Sequence, residues 1–559
     1  MDSISPPGAV GLPPPIETIE IDSAPPAPPR ASHGPISSVA GAVLAAVLGF
    51  AIRVPHVFRA DFPLADGGLF AVMIEAVRSN AYGLPWSVRY NGIDIPFAYP
   101  PLGFYIAAAL ADLTHTDALV VLRLLPLALD SLAILAFAAL ASAALGSRVA
   151  AFAATLAFAV MPGSYLWLIM GGGLTRSLGF LFALLALNEA WRYYTSPVNR
   201  FPARLALFAG LTLLSHPAMS VFLAFSGLML LLAFGRTRSR FTGSLLAVIG
   251  AVAIASPWWV LLLARYGVTP LVAASQTGSL LSYATVDTGV GEAGVLVVAI
   301  VVAIVAFYLM AMSRDLKFLL FGWLGLIFFL DFRESLWLVT VPIALGFGLV
   351  VAAIAGSVQT RLGLKRPRPS RVGARSRFAN AVASGVVLLI VGFIGHRISV
   401  GFQSLVPVML RPLSIEERAA MRWIAEKSPA ESRFLVVTGD LWAANRSAEW
   451  FPVLTNRISV ATPQGKEWIP GSDFLRRANE DTDLQQCGAQ DAACIDEWRR
   501  TTQAAFSHVY VRKRADPSCC EPLRLSLLSD SRYTMVYDGP GATVFGGPRS
   551  VHSVAVSGE

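Results

Sequence analysis

Leu102-Gly103-Phe104-Tyr105-Ile106-Ala107-Ala108-Ala109-Leu110-Ala111-Asp112-Leu113 is the stretch whose reading decides the topology of this chain. It is apolar enough for a membrane, but a helix of this length rises only ~18 Å. A hydrocarbon core of ~30 Å needs about 20 residues. Read as a crossing, the stretch inverts every loop after it. Read as an interfacial or re-entrant helix, it leaves them in place.

Charge decides between the two. Apolar spans run roughly at 36–52, 118–145, 149–170, 174–191, 204–215, 217–234, 241–263, 293–312, 316–331, 335–356 and 379–400. With 102–113 non-spanning, alternate loops collect sixteen basic residues, from Arg148 through the run between Arg361 and Arg377, against three (Arg176, Arg265, Arg333) in the intervening short loops. Cytoplasmic loops are the basic ones. The expectation is a polytopic α-helical membrane protein of about 11 transmembrane helices, with a cytoplasmic N-terminus and an extracytoplasmic C-terminal part. A multi-pass protein of the plasma membrane fits this pattern.

The totals agree. The 559 residues are 55% hydrophobic and 14% charged, whereas a soluble chain carries about 25% charged residues. The net charge of +8 lies in short segments between apolar spans. That is membrane topology and not a nucleic-acid-binding face.

Residues 1–35 are rich in Pro, Ser and Ala and bury too little apolar surface to fold, so a disordered cytoplasmic tail is expected. No basic-then-apolar signal-peptide pattern opens the chain, which leaves the first span as a retained anchor. The membrane domain is placed at 36–405, with an outer loop at 54–117, and a soluble extracytoplasmic α/β domain at 406–559. There, Ser414-Ile415-Glu416-Glu417 reads as a helix start, 433–438 and 507–512 as strands, and 532–545 as a hairpin turning at Asp538-Gly539-Pro540-Gly541. All four cysteines (Cys487, Cys494, Cys519, Cys520) fall in this part, which suggests disulfides in an oxidising compartment. Adjacent Cα atoms lie closer than disulfides usually span, so Cys487 and Cys494 are each expected to join one of the vicinal pair. Zinc is the rival, but the spacing is not a usual ligand pattern.

Ala65-Asp66-Gly67-Gly68 follows the first span on the outer face. As turn chemistry it needs no further explanation. As a carboxylate just outside a membrane bundle, it is placed to act on a lipid-borne substrate. Glu75, Asp94 and Asp61 are candidates for a second acid. Asp130, near mid-membrane, is expected to be paired or functional. Cations on the outer rim (Arg123, Arg176 after Gly171-Gly172-Gly173, and Arg333) have the geometry to hold a phosphate. Snorkelling to the headgroups is the plainer role for each. His216, in Ser215-His216-Pro217, could hold a phosphate or a sugar hydroxyl, or simply make a turn.

One span, a long outer loop with an early acid, Tyr99-Pro100-Pro101-Leu102, and then a span opening Arg123-Leu124-Leu125-Pro126 resemble the GT-C membrane glycosyltransferases. That superfamily includes protein O-mannosyltransferases, aminoarabinose transferases and oligosaccharyltransferases. The resemblance implies transfer of a sugar from a polyprenyl-phosphate donor to a glycan, lipid or protein acceptor. Asp66 would activate the acceptor, and Tyr99, Arg123, Arg176, His216 and Arg333 would bind substrate. No acidic pair follows Gly173, where the metal-dependent oligosaccharyltransferases carry one, so a divalent cation stays open without that support and no cofactor is assigned. Trp-Trp-Asp, a hallmark of the oligosaccharyltransferases, is absent. Gly439-Asp440-Leu441-Trp442, Glu449-Trp450-Phe451-Pro452 and Gln464-Gly465-Lys466-Glu467-Trp468 set aromatics beside carboxylates, a composition suited to sugars. Two other classes stay open: a non-catalytic protein that binds a lipid-linked glycan, and a transporter or flippase. Repeated halves with matching broken helices, which would favour the last, are not seen.

Overall fold

The computed structural model describes residues 36–198, 201–275, 316–330, 337–361, 409–513 and 519–547. Helix α1 (Ile36–Phe58) leads into the Asp66 segment, followed by α2 (Gly68–Ser79), a hairpin of β1 (Ser87–Tyr90) and β2 (Ile93–Pro96), and α3 (Leu102–Thr114). Next come α4 (Ala118–Leu145), α5 (Arg148–Val160), α6 (Leu174–Thr195), α7 (Ala203–Leu213), α8 (Pro217–Phe234), α9 (Arg238–Tyr266), α10 (Thr269–Ser275), α11 (Leu316–Leu330) and α12 (Thr340–Arg361). The decisive stretch, 102–113, is therefore one short helix. The amphipathic loop before it is a folded layer.

Five helical segments among the described residues are long and apolar enough to cross a membrane: Val39–Phe58, Ala118–Leu145, Pro217–Phe234, Arg238–Tyr266 and Thr340–Gln359. The span expected at 149–170 is corrected. Met161 is extended at φ −68°, ψ 125°, and α5 stops at Val160, because a residue preceding proline is driven out of the helical region. Short 3-10 turns at Pro162–Ser164 and Gly171–Gly173 follow. The segment expected at 204–215 is an 11-residue helix, α7. The spans expected at 293–312 and 379–400 lie outside the described residues.

Helix α4 packs against α1, α5 and α6. The junction is tied by Arg53 of α1 and Asp130 of α4, both fully buried, with Nε 2.5 Å from Oδ2. The guanidinium also donates to Gly49 O (2.9 Å), Ala159 O (2.6 Å) and Ser164 Oγ (2.9 Å) and lies 4.6 Å from the centre of the Tyr165 ring. Asp130 thus has the paired structural role, and its partner clamps the turn after α5.

Towards the C-terminus lie α13 (Ile415–Lys427), β3 (Arg433–Val437), α14 (Arg446–Thr455), β4 (Ile458–Ser459), α15 (Phe474–Gln486), α16 (Ala492–Thr502), β5 (His508–Arg512), α17 (Glu521–Ser529), β6 (Thr534–Asp538) and β7 (Ala542–Gly546). Ser414 caps α13, its Oγ accepting from Glu417 N at 3.1 Å. The five strands form one sheet in the order β4-β3-β5-β7-β6, parallel from β4 to β5 and antiparallel beyond. Side chains alternate across a strand, and both faces are covered. Leu435, Val437, Val509 and Val511 pack under α15, α16 and α17, while Phe434, Val436, Tyr510 and Val544 join the core that continues into the helical bundle.

The cysteine pairing is corrected. Cys487 bonds Cys494, with Cα atoms 5.5 Å apart, and Cys519 bonds Cys520. Cys487 and Cys494 flank the turn between α15 and α16, which folds them to ordinary bridging distance without recruiting the vicinal pair.

Candidate active site

The segment from Leu64 to Gly68 is held from two directions. Gly171 N donates to Leu64 O at 2.9 Å from the loop before α6. From the C-terminal part, Ala65 N donates to Arg411 O (2.9 Å) and Trp450 Nε1 to Ala65 O (2.9 Å). Two glycine runs make this close meeting possible. Gly67 has φ +129°, and a Cβ there would lie 3.0 Å from the carbonyl carbon of Gly171. A Cβ on Gly172 would lie 2.5–2.7 Å from the Asp66 carboxylate. With that space open, Gly172 N donates to Asp66 Oδ1 at 3.0 Å. The glycine pair after Asp66 and the triple glycine before Arg176 are two halves of one cradle.

A second carboxylate enters from α14. Glu449 Oε1 accepts from Gly67 N (3.0 Å) and Gly68 N (3.1 Å), at the start of α2. Its backbone carbonyl accepts from Tyr90 OH at 2.7 Å. Burial, and then the negative charge of Asp66, push the Glu449 carboxyl up to about 8, against the pull of the backbone N–H groups. The two carboxyl groups therefore resist carrying charge together. The acids considered from sequence lie elsewhere: Glu75 pairs with Arg78, Asp94 with Arg89, and Asp61 with Arg418.

Asp66 and Glu449 line a cavity of about 550 Å³. One wall is apolar, with Val221 and Phe222 of α8, Leu271 and Ala274 of α10, Ile327 of α11 and Leu338. The other is aromatic and polar, with Trp442, Gln464, Glu467 and Trp468 from the C-terminal part. Tyr99, Arg176 and His216 complete it. The Tyr99 ring packs near those of Phe70 (5.4 Å), Trp468 (5.0 Å) and His216 (6.0 Å), and its hydroxyl accepts from Thr175 Oγ1 at 3.2 Å. Arg176 is in the first turn of α6, where the helix N-terminus already presents positive potential. It is oriented by a hydrogen bond to Trp167 O (3.0 Å) and by the Trp167 ring.

Four of the residues singled out from sequence (Asp66, Tyr99, Arg176 and His216) thus share one cavity. Arg123 lines a different depression, with Asp61 and Arg418, and Arg333 lies outside the described residues. The meeting of Glu449 with the Asp66 cradle escaped the sequence, since 382 residues separate it from Gly67. Its one local signal is an acid set among Trp450, Phe451 and Pro452. Among the described residues, no group of three His, Cys, Asp or Glu side chains could hold a metal ion.

No protein-family model and no curated protein matches the chain. Solved structures do. The archaeal oligosaccharyltransferase AglB from Archaeoglobus fulgidus, in complex with an inhibitory peptide and a dolichol-phosphate, superposes with a TM-score of 0.51 at 14% identity, covering 93% of this chain and 75% of that one. The Archaeoglobus fulgidus oligosaccharyltransferase tethered to an acceptor peptide gives 0.50 at 14% identity, with coverages of 86% and 69%. The chain has the GT-C fold. An arabinofuranosyltransferase, AftD from Mycobacteria, is matched at a TM-score of 0.49 and 17% identity, covering 93% of this chain and 40% of that one. Within that fold, the cavity lies where the segment after α1, the helical bundle and the C-terminal part meet.

Proposed function

We propose that this chain is a membrane glycosyltransferase of GT-C type, moving a sugar from a polyprenyl-phosphate-linked donor to a hydroxyl-bearing acceptor outside the cytoplasm. The observation that carries this is the place of Asp66. It is fixed by a backbone N–H at the rim between an apolar wall suited to a prenyl chain and a wall of tryptophans and carboxyl groups suited to a glycan. The dolichol-phosphate bound to the archaeal oligosaccharyltransferase supports a lipid-linked donor. The positive-inside bias supports an orientation with the N-terminus cytoplasmic and the sheet-bearing part, from about residue 406, extracytoplasmic.

In this reading Asp66 takes the proton from the acceptor hydroxyl as its oxygen bonds to the anomeric carbon. The bond from that carbon to the phosphate oxygen breaks, and the phosphate leaves with the electron pair. Arg176 meets the growing charge on the phosphate with a planar, two-pronged donor. His216 and Tyr99 bound the space where the sugar turns over. Glu449 holds the N–H groups of Gly67 and Gly68 and so keeps the Asp66 segment in register.

The test is transfer by the full chain in proteoliposomes, using polyprenyl-phosphate sugars as donors and a panel of glycan acceptors. Asp66→Asn keeps the size and loses the base, so transfer falls by about 10²–10⁴-fold while expression and thermal stability persist. Undiminished transfer by Asp66→Asn would remove Asp66 from the chemistry. Retained donor binding without turnover across the panel would instead point to a binding protein.

A further inference from the structure

The second depression, about 400 Å³, lies where the segment after α1, the start of α4 and the exposed face of α13 converge. The reaction above makes no use of it. Its lining includes three guanidinium groups, Arg123, Arg418 and Arg422, and two carboxylates, Asp61 and Asp117. Both carboxylates are engaged locally. Asp61 pairs with Arg418, and Asp117 caps α4 by accepting from Leu119 N at 2.8 Å.

The guanidinium groups are not all satisfied. Nε of Arg123 and Nε of Arg418 are both buried with no hydrogen-bond partner in the structure. A buried charged donor left unmade is costly, and two of them at one depression mark a place for an anionic oxygen. Arg418 is held over the Phe62 ring at 4.9 Å, which fixes its plane. Arg422 is exposed and adds a third charge from the next turn of α13.

The location narrows the ligand. Ala118 begins a helix able to cross the membrane. Leu119 and Val120 at its tip, with Leu454, give the depression an apolar side. A phosphate group carried on a lipid matches both halves: oxygens towards the arginines, acyl chain down α4. We propose that this is a binding site for the phosphate of an anionic membrane lipid, which fastens α13, and with it the C-terminal part, to the outer leaflet. The chemistry shared with a soluble phosphate is the anionic oxygen. The apolar side argues for the lipid.

Native mass spectrometry of the full chain, delipidated in detergent and titrated with phosphatidylglycerol or phosphatidylcholine, reads the site directly. The wild type should retain phosphatidylglycerol about tenfold better than Arg123→Gln/Arg422→Gln, the difference expected for one or two charge-assisted hydrogen bonds. Its preference over phosphatidylcholine should shrink in the double variant. Arg500→Gln, an exposed change elsewhere, should behave as wild type. If the double variant misfolds, Arg422→Gln alone, at an exposed position, should still show a several-fold loss. Equal retention by wild type and Arg422→Gln, or no preference for the anionic lipid, would overturn the proposal. Displacement of phosphatidylglycerol by millimolar inorganic phosphate would reassign the site to a soluble anion.

Discussion

Gly172→Ala moves the Asp66 carboxylate without altering a single functional group. The added methyl would stand 2.5 Å from Oδ2, 2.6 Å from Cγ and 2.7 Å from Oδ1 of Asp66. Ordinary contacts between such atoms begin near ~3.5 Å, so the carboxylate must retreat by roughly 1 Å. The backbone of Gly172 is not left-handed, and alanine adopts it without torsional strain. The N–H that holds Asp66 also remains. Overpacking of this size costs ~1–3 kcal/mol of stability, which a bundle of this extent tolerates. A reacting group displaced by ~1 Å costs about 10²-fold in rate. The expected result in proteoliposomes is therefore kcat down by about 10²-fold, with donor KM little changed and a melting temperature lowered by only a few degrees. Gly227→Ala, where an added Cβ meets nothing within 4 Å, is the matched control and should be silent in both assays. Wild-type turnover by Gly172→Ala would show that the position of Asp66 does not matter to the reaction.

Other consequences follow from the same contacts. Glu449 titrates near 4.5 when unfolded and about 8 when folded. The unfolded chain therefore binds fewer protons across that window, and stability falls as pH rises from about 4.5 to about 8. Thermal melts of Glu449→Gln should show a shallower decline than wild type, with Asp481, pushed up to about 7 by burial, supplying part of the slope that remains; identical slopes would refute the assignment. Removing one partner of Arg53–Asp130, as in Asp130→Leu, should destabilise by about 3–5 kcal/mol, and Arg53→Leu/Asp130→Leu should recover much of the loss, read by melts in detergent. Arg176→Gln should lower kcat/KM for the donor roughly 10–100-fold, with Arg176→Lys in between because it keeps the charge and loses the fork.

Local signals carried much of the fold. The length of 102–113, the Ser414 cap and the Asp538-Gly539-Pro540-Gly541 turn each depend on a few adjacent residues, and each is found in place: α3, α13 and the β6–β7 hairpin. Pro162 ends α5, a local signal masked by the apolar run on either side of it. What stayed hidden was non-local. Arg53 reads as a charge at the end of the first span until α4 and the turn after α5 close around it. Asp66, Tyr99, Arg176 and His216 come to line one cavity because polar residues at the ends of apolar spans have few places to go. Arg123 obeys the same rule and still falls in a different depression, since topology gives the height of a residue and not the side of the bundle it faces. Glu449 needed the docking of α14 on α2, which no local pattern encodes.

In the proposed reaction the cavity at Asp66 receives the lipid-linked donor. A cryo-EM structure of the full chain in nanodiscs loaded with a polyprenyl phosphate tests it most directly. The phosphate should lie within the cavity, in ion-pair contact with Arg176 and facing Asp66, with the prenyl chain leaving along Val221 and Leu271. Phosphate bound only outside that cavity, with the space between Asp66 and Arg176 empty, would contradict it.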